Sequence, residues 1–121
     1  MFRFAQKIAP FVNREIALAN LSRIKGDIKS EFRHLENAHV LGQESTYHHV
    51  KVHYLMFLWG LRQQQYPEVV GQMVRMLGAL TKTMLGLVPQ GNTGGSNVSP
   101  FKPLPLKPEL ATIIRQAKNN A

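Results

Sequence analysis

The fold is decided by residues 26–62, which read GDIKSEFRHLENAHVLGQESTYHHVKVHYLMFLWGLR. Apolar residues recur at steps of three and four in both halves of this stretch, which predicts helices over residues 27–41 and 46–64. Gly42 ends the first of them, as a glycine just past a helix end commonly does. Because only about four residues join the two helices, we expect them to be antiparallel neighbours.

Three further helices and one irregular segment are predicted on either side of this stretch. Pro10 suits the first turn of a helix over about 10–25, because its missing N–H would be unpaired there anyway. Pro67 likewise opens a helix over 67–85, and the last helix covers 108–119. The apolar spacing of the 67–85 helix predicts an inner face made of Val69, Val70, Met73, Met76, Leu77 and Leu80.

Residues 87–107 have no periodicity and hold three glycines and four prolines. An irregular segment of about 20 residues is uncommon in so small a domain. We expect it to form a long Gly/Pro-rich strap that packs over the helices.

The helices together predict an all-α fold in one domain, residues 1–121. The Gly-Asp turn at 26–27 and the small Ala38 are typical of a tetratricopeptide-like hairpin, although the spacing departs from the regular repeat. We therefore expect two stacked antiparallel helical hairpins, closed by the strap and the C-terminal helix.

Composition narrows the function classes. The chain of 121 residues has no cysteine, which excludes a disulfide scaffold, a thiolate metal site and a cysteine nucleophile. Its 15 basic and 7 acidic residues give a net charge of +8. The basic residues are dispersed and do not alternate with aromatic ones, so nucleic acid is not the favoured partner. No apolar run is long enough to span a bilayer and no signal peptide is apparent, so we expect a cytoplasmic location.

All five histidines lie between His34 and His53. Glu36 and His39 are spaced i, i+3, and His49 and His53 are spaced i, i+4, so each pair shares one face of its helix. If the two faces point toward each other, Glu36, His39, His49 and His53 form a metal site. Three imidazoles and a carboxylate suit zinc first, and also iron, nickel or copper. Residues that could support or cover this site are Glu31, Gln43, His48, Asn92 and Thr93.

The favoured hypothesis is a small metal-binding protein that senses, buffers or delivers a divalent transition metal. One alternative is a helical-repeat module that binds a protein partner and uses its histidines as a buried structural network. A third is a small metalloenzyme, with the strap acting as a lid. A homodimer stays open in each case.

Three motifs in order carry a resemblance to a known family. They are EFRHLENAHVLGQ, the His49-x-x-x-His53 pair and PQGNTGGSNVSPFKPLPLKPEL. Over roughly residues 25–110 the chain resembles a bacterial domain family of unknown function, whose members are found in metal-resistance gene neighbourhoods. The resemblance implies a small helical protein and no established activity.

Overall fold

A computed structural model describes residues 2–85 and 105–119 of the chain. The regular structure in these ranges is entirely helical, which confirms the predicted all-α class. The helices are α1 (Phe2–Ile24), α2 (Ile28–Gly42), α3 (Thr46–Arg62), α4 (Tyr66–Leu85) and α5 (Pro108–Asn119). Most of the predicted strap, including Asn92 and Thr93, lies outside the described residues. Of the helices described, none combines the length and the apolar character needed to cross a membrane.

The helices form two stacked hairpins, as predicted. α1 packs along α2, α3 packs along α4, and α2 and α3 meet between the two hairpins. α5 covers the first hairpin by contacting α1 and α2. The turn before α2 is closed by Asp27, whose carboxylate accepts a hydrogen bond from the Ser30 N–H at 3.1 Å. Gly26 in that turn has φ of +79°, a left-handed conformation that glycine adopts without strain.

The predicted start of the first helix is wrong. α1 begins at Phe2 and continues through Pro10, which lies exposed inside the helix. Proline removes one helical hydrogen bond at this point. The helix continues because Ile8 and Val12, on either side of Pro10, are both fully buried in the core. The burial of these two side chains offsets the hydrogen bond lost at Pro10. The rule that proline marks the start of a helix does not take such burial into account.

The core lies between the hairpins and beneath α5. Its largest fully buried apolar side chains come from three helices: Ile8 and Val12 of α1, Leu41 of α2, and Val52 and Met56 of α3. α5 adds its apolar face to this cluster through Leu110 and Ile114. α3 joins the two hairpins, because it contacts α1 and α2 as well as α4.

The predicted inner face of α4 is also wrong in part. Val69 is buried as expected, but Val70, Met73 and Leu77 are each more than half exposed. The side of α4 that faces inward instead carries Gln72, which is completely buried. α4 is therefore rotated about its own axis relative to the prediction. The rotation brings Gln72 into contact with α3, as described below.

Candidate metal centre

The candidate site lies at the corner where α2 ends and α3 begins. His39 is in the last turn of α2, His49 is in the first turn of α3, and His53 follows one turn later. Gly42 lets the two helices approach closely: a Cβ atom on Gly42 would lie only 2.6 Å from the Cβ atom of His48. No real pair of side chains tolerates that separation without a backbone shift. The closeness of the corner therefore depends on the missing side chain at Gly42.

Three of the four predicted ligands come together at this corner. His39, His49 and His53 each offer one ring nitrogen, and these nitrogens all lie within 4.8 Å of one another. The ring centroids form a nearly equilateral triangle with sides of 4.7, 4.9 and 4.9 Å. A tetrahedral ion bound by nitrogens at about 2.0–2.1 Å holds imidazole rings about 5 Å apart. The spacing of the rings thus matches that of a three-imidazole metal site. We call these three residues the histidine triad.

The histidine triad is shielded from solvent. His39 and His53 are each 2% exposed and His49 is 6% exposed. Within the triad, Nε2 of His39 lies 3.1 Å from Nε2 of His53, which is hydrogen-bonding distance. One of these two nitrogens therefore carries the proton and the other accepts it.

Two residues of α4 settle which nitrogen of His53 accepts. Nε2 of Gln72 donates a hydrogen bond to the carboxylate of Glu68, so the carbonyl oxygen of Gln72 faces the other way. That oxygen lies 2.5 Å from Nδ1 of His53, which must then carry the proton and donate it. His53 is left with a lone pair on Nε2, directed at His39. An imidazole with a fixed donor on one nitrogen and a lone pair on the other is the form that binds metals.

Sequence reasoning missed Gln72. Its position follows from the rotation of α4 about its own axis, which tertiary packing sets. A signal was nevertheless present: Glu68, Gln72 and Arg75 are spaced i, i+4 and i+7, so they form a polar stripe on a helix that is otherwise mostly apolar. Burial lowers the pKa of the Arg75 guanidinium, and the nearby Glu68 carboxylate partly offsets this.

Glu36, the fourth predicted ligand, does not join the histidine triad. It lines a separate cavity of about 190 Å³ between α2 and the segment leading into α5, together with Arg33, Lys107 and Leu110. Burial raises the pKa of the Glu36 carboxyl above its usual range; the positive charge of Lys107 opposes this rise, and the negative charge of Glu68 adds to it.

His34, His48, Glu31 and Gln43 are not members of the histidine triad. His34 forms an ion pair with Glu15 of α1 at 2.9 Å when it is protonated. Nε2 of His48 lies 3.0 Å from the carbonyl oxygen of Ala5. This hydrogen bond joins α3 to the start of α1. Glu31 is buried and pairs with Arg62 rather than approaching the triad. Gln43 is buried just past the end of α2.

The fold and the site together define a small all-helical protein with a buried triad of imidazoles at one helical corner. The chain belongs to the family described as Protein of unknown function (DUF3703), which matches residues 6–114. This match confirms the resemblance to a domain family of unknown function. No curated protein and no solved structure shows significant similarity to the chain.

Proposed function

We propose that this protein binds one divalent transition metal ion through His39, His49 and His53, in order to sense, buffer or deliver it in the cytoplasm. One observation carries the proposal: three buried ring nitrogens from two helices lie within 4.8 Å of one another. Only small movements of the side chains would bring all three to about 2.0–2.1 Å from a common point.

Zinc is the first choice of metal. Imidazole nitrogens suit zinc, iron, nickel and copper, and zinc accepts a four-coordinate site without imposing a further geometric demand. Three imidazoles supply three of the four positions around a tetrahedral ion. The hydrogen bond from His53 to Gln72 supports this choice, because metal-binding histidines usually donate their other N–H to an acceptor that fixes the ring.

The second candidate function is a helical module for protein binding, with the triad as a structural network. The observation that favours it is the 3.1 Å contact between the Nε2 atoms of His39 and His53. A buried hydrogen bond of this kind joins α2 to α3 without any ion. A small metalloenzyme, with substrate occupying the fourth position around the ion, ranks third.

Metal content separates the first two candidates. Protein purified without an affinity tag, stripped with a chelator and dialysed against zinc should retain about one ion per chain. The matched variant Glu36→Gln should retain the same amount, because Glu36 lies outside the triad. Retention below about 0.2 zinc per chain by the unaltered protein would overturn the proposal. Loss of zinc in Glu36→Gln alone would make Glu36 a fourth ligand.

Replacing Gln72 by leucine is expected to weaken zinc binding by about 10–100-fold, the usual cost of losing a partner that orients a metal ligand. The substitution removes the acceptor for Nδ1 of His53, so the ring loses its fixed orientation. Competition with a chromophoric chelator measures the affinity. Gln65→Leu is the control, because Gln65 is exposed in the turn before α4. Equal affinities for the two variants would show that Gln72 does not orient His53 for binding.

A further inference from the structure

The outer side of α4 carries a continuous apolar stripe. Val70, Met73, Val74 and Leu77 are spaced i, i+3, i+4 and i+7, so they lie on one face of the helix. Their exposed fractions are 60%, 53%, 66% and 73%. We call these four residues the α4 stripe. Scattered exposed apolar residues are ordinary on a protein surface, but a contiguous row of this kind marks an interaction site.

The inner side of α4 is less apolar than that of an ordinary surface helix. A surface helix directs its apolar face to the core and its charges to water. In α4 the inner side carries Glu68, Gln72 and Arg75 beside the buried Val69 and Ala79, and Gln72 contacts α3. The hydrogen bonds at the histidine triad hold the helix in this rotation. A second apolar side of α4, the α4 stripe, is directed away from the core of its own chain.

An apolar groove adjoins the α4 stripe. A cavity of about 380 Å³ between α3 and α4 is lined by Thr46, Tyr47, Val50, Lys51, Tyr54 and Met76. Met76 directly precedes Leu77 and is one turn from Met73, so the groove and the stripe form one surface. Tyr47 and Tyr54 are themselves about half exposed or more.

We propose that this surface binds a second copy of the chain, with the two α4 stripes packed against each other around a twofold axis. The stripe contains no charged residue, so no like charges meet at the contact itself. An uncharged row of interlocking side chains is complementary to itself, as a symmetric dimer interface requires. The exposed parts of the stripe and the two tyrosines are on the order of the ~800 Å² that each partner of a stable complex buries.

A membrane surface fits this face less well than a second copy does. Helices that lie in a membrane interface carry lysine and arginine along their polar face. Between Tyr66 and Ala79 the sole basic residue is Arg75, and it is directed to the inner, half-buried side. The same lack of surface charge disfavours an acidic protein partner, which would need basic residues beside the stripe.

Sedimentation analysis of chelator-treated protein tests the dimer without depending on metal binding. The unaltered protein should sediment as a dimer with Kd in the micromolar range, and 0.5 M salt should not weaken an apolar contact of this kind. Leu77→Glu should raise the dimer Kd by at least about 30-fold, because it places a charge within the apolar contact. The matched control is Ile24→Glu, since Ile24 is 75% exposed at the end of α1, and it should remain dimeric.

The absence of cysteine allows a second, geometric test. Met73→Cys and Val74→Cys place one thiol each at the centre of the α4 stripe, and mild oxidation should link at least one of them into a covalent dimer. Ile24→Cys should give none. A monomeric unaltered protein, a failure of Leu77→Glu to dissociate the dimer, or the absence of a link at both central positions would overturn the proposal. Recovery of the protein as a monomer on anionic lipid vesicles would do so as well.

Discussion

Replacing His53 by alanine is expected to lower the affinity for zinc by more than about 100-fold, since even the loss of an orienting partner costs 10–100-fold. His53 is central to the triad: it contacts His39 and Gln72, and its ring lies 4.9 Å from that of His49. Zinc at 100 times its Kd stabilises a protein by about 2.7 kcal/mol. In a chain of this size, that free energy corresponds to a rise in Tm of about 10 °C.

Thermal unfolding with zinc and with chelator measures this difference in each variant separately. The alanine variant has a cavity in place of a buried ring, so its Tm in chelator is expected to fall; the quantity that matters is the further shift when zinc is added. His34→Ala is the matched control, because His34 pairs with Glu15 on the other side of α2. The assignment of the site would be contradicted if zinc raised the Tm of His53→Ala as much as that of the unaltered protein. It would also be contradicted if His34→Ala lost the rise in Tm to the same extent as His53→Ala.

Replacing Gly42 by alanine is expected to destabilise the protein by about 1–3 kcal/mol, the usual cost of an overpacked position. Alanine ordinarily favours a helix over glycine by up to about 1 kcal/mol, so the sign is opposite to the local preference. The new Cβ would lie 2.6 Å from Cβ of His48 and 3.3 Å from Val12, and Cβ of His48 moves only with its backbone. The corner between α2 and α3 must therefore open.

Opening this corner should also weaken zinc binding, because it separates His39 from His49 and His53. Urea unfolding gives the stability, and chelator competition gives the affinity. Gly60→Ala is the comparison: a Cβ at Gly60 would lie 3.0 Å from the end of the Val69 side chain, at the far end of α3. We expect a smaller loss of stability there and no change in affinity. The geometric explanation would be wrong if Gly42→Ala were as stable as the unaltered protein.

The helical corner could be predicted from the sequence because its signals are local. The apolar spacing of α2 and α3, Gly42 at the end of α2 and the short link all lie within the stretch that forms the corner. The i, i+4 spacing placed His49 and His53 on one face, and the antiparallel arrangement brought His39 opposite them. These three predicted ligands lie together in the structure.

Glu36 illustrates where such reasoning ends. A step of three residues turns a helix by about 300°, so Glu36 is displaced by about 60° from His39 around α2. The burial of Leu35 and Ala38 fixes how α2 is rotated. Glu36 then faces a cavity that it shares with Lys107, a residue from a distant part of the chain. The sequence of α2 contains no information on where that residue lies.

The orientation of α4 could not be predicted for a related reason. Apolar spacing favours burying Val70, Met73 and Leu77, and this rule holds for most surface helices. The rule fails here because the polar side of α4 has a specific partner in His53. Here a tertiary hydrogen bond overrides the local preference.

The short distance between the triad residues along the chain has a consequence for folding. His39 and His53 are separated by 14 positions and join the two hairpins, and His53 and Gln72 are separated by 19 positions within the second hairpin. Closing a short loop costs little chain entropy, and contacts between near neighbours in sequence form early. The two separations are similar, so chain entropy does not favour one contact over the other, and both the meeting of the imidazoles and the contact of His53 with Gln72 are expected to form without a long loop closing first.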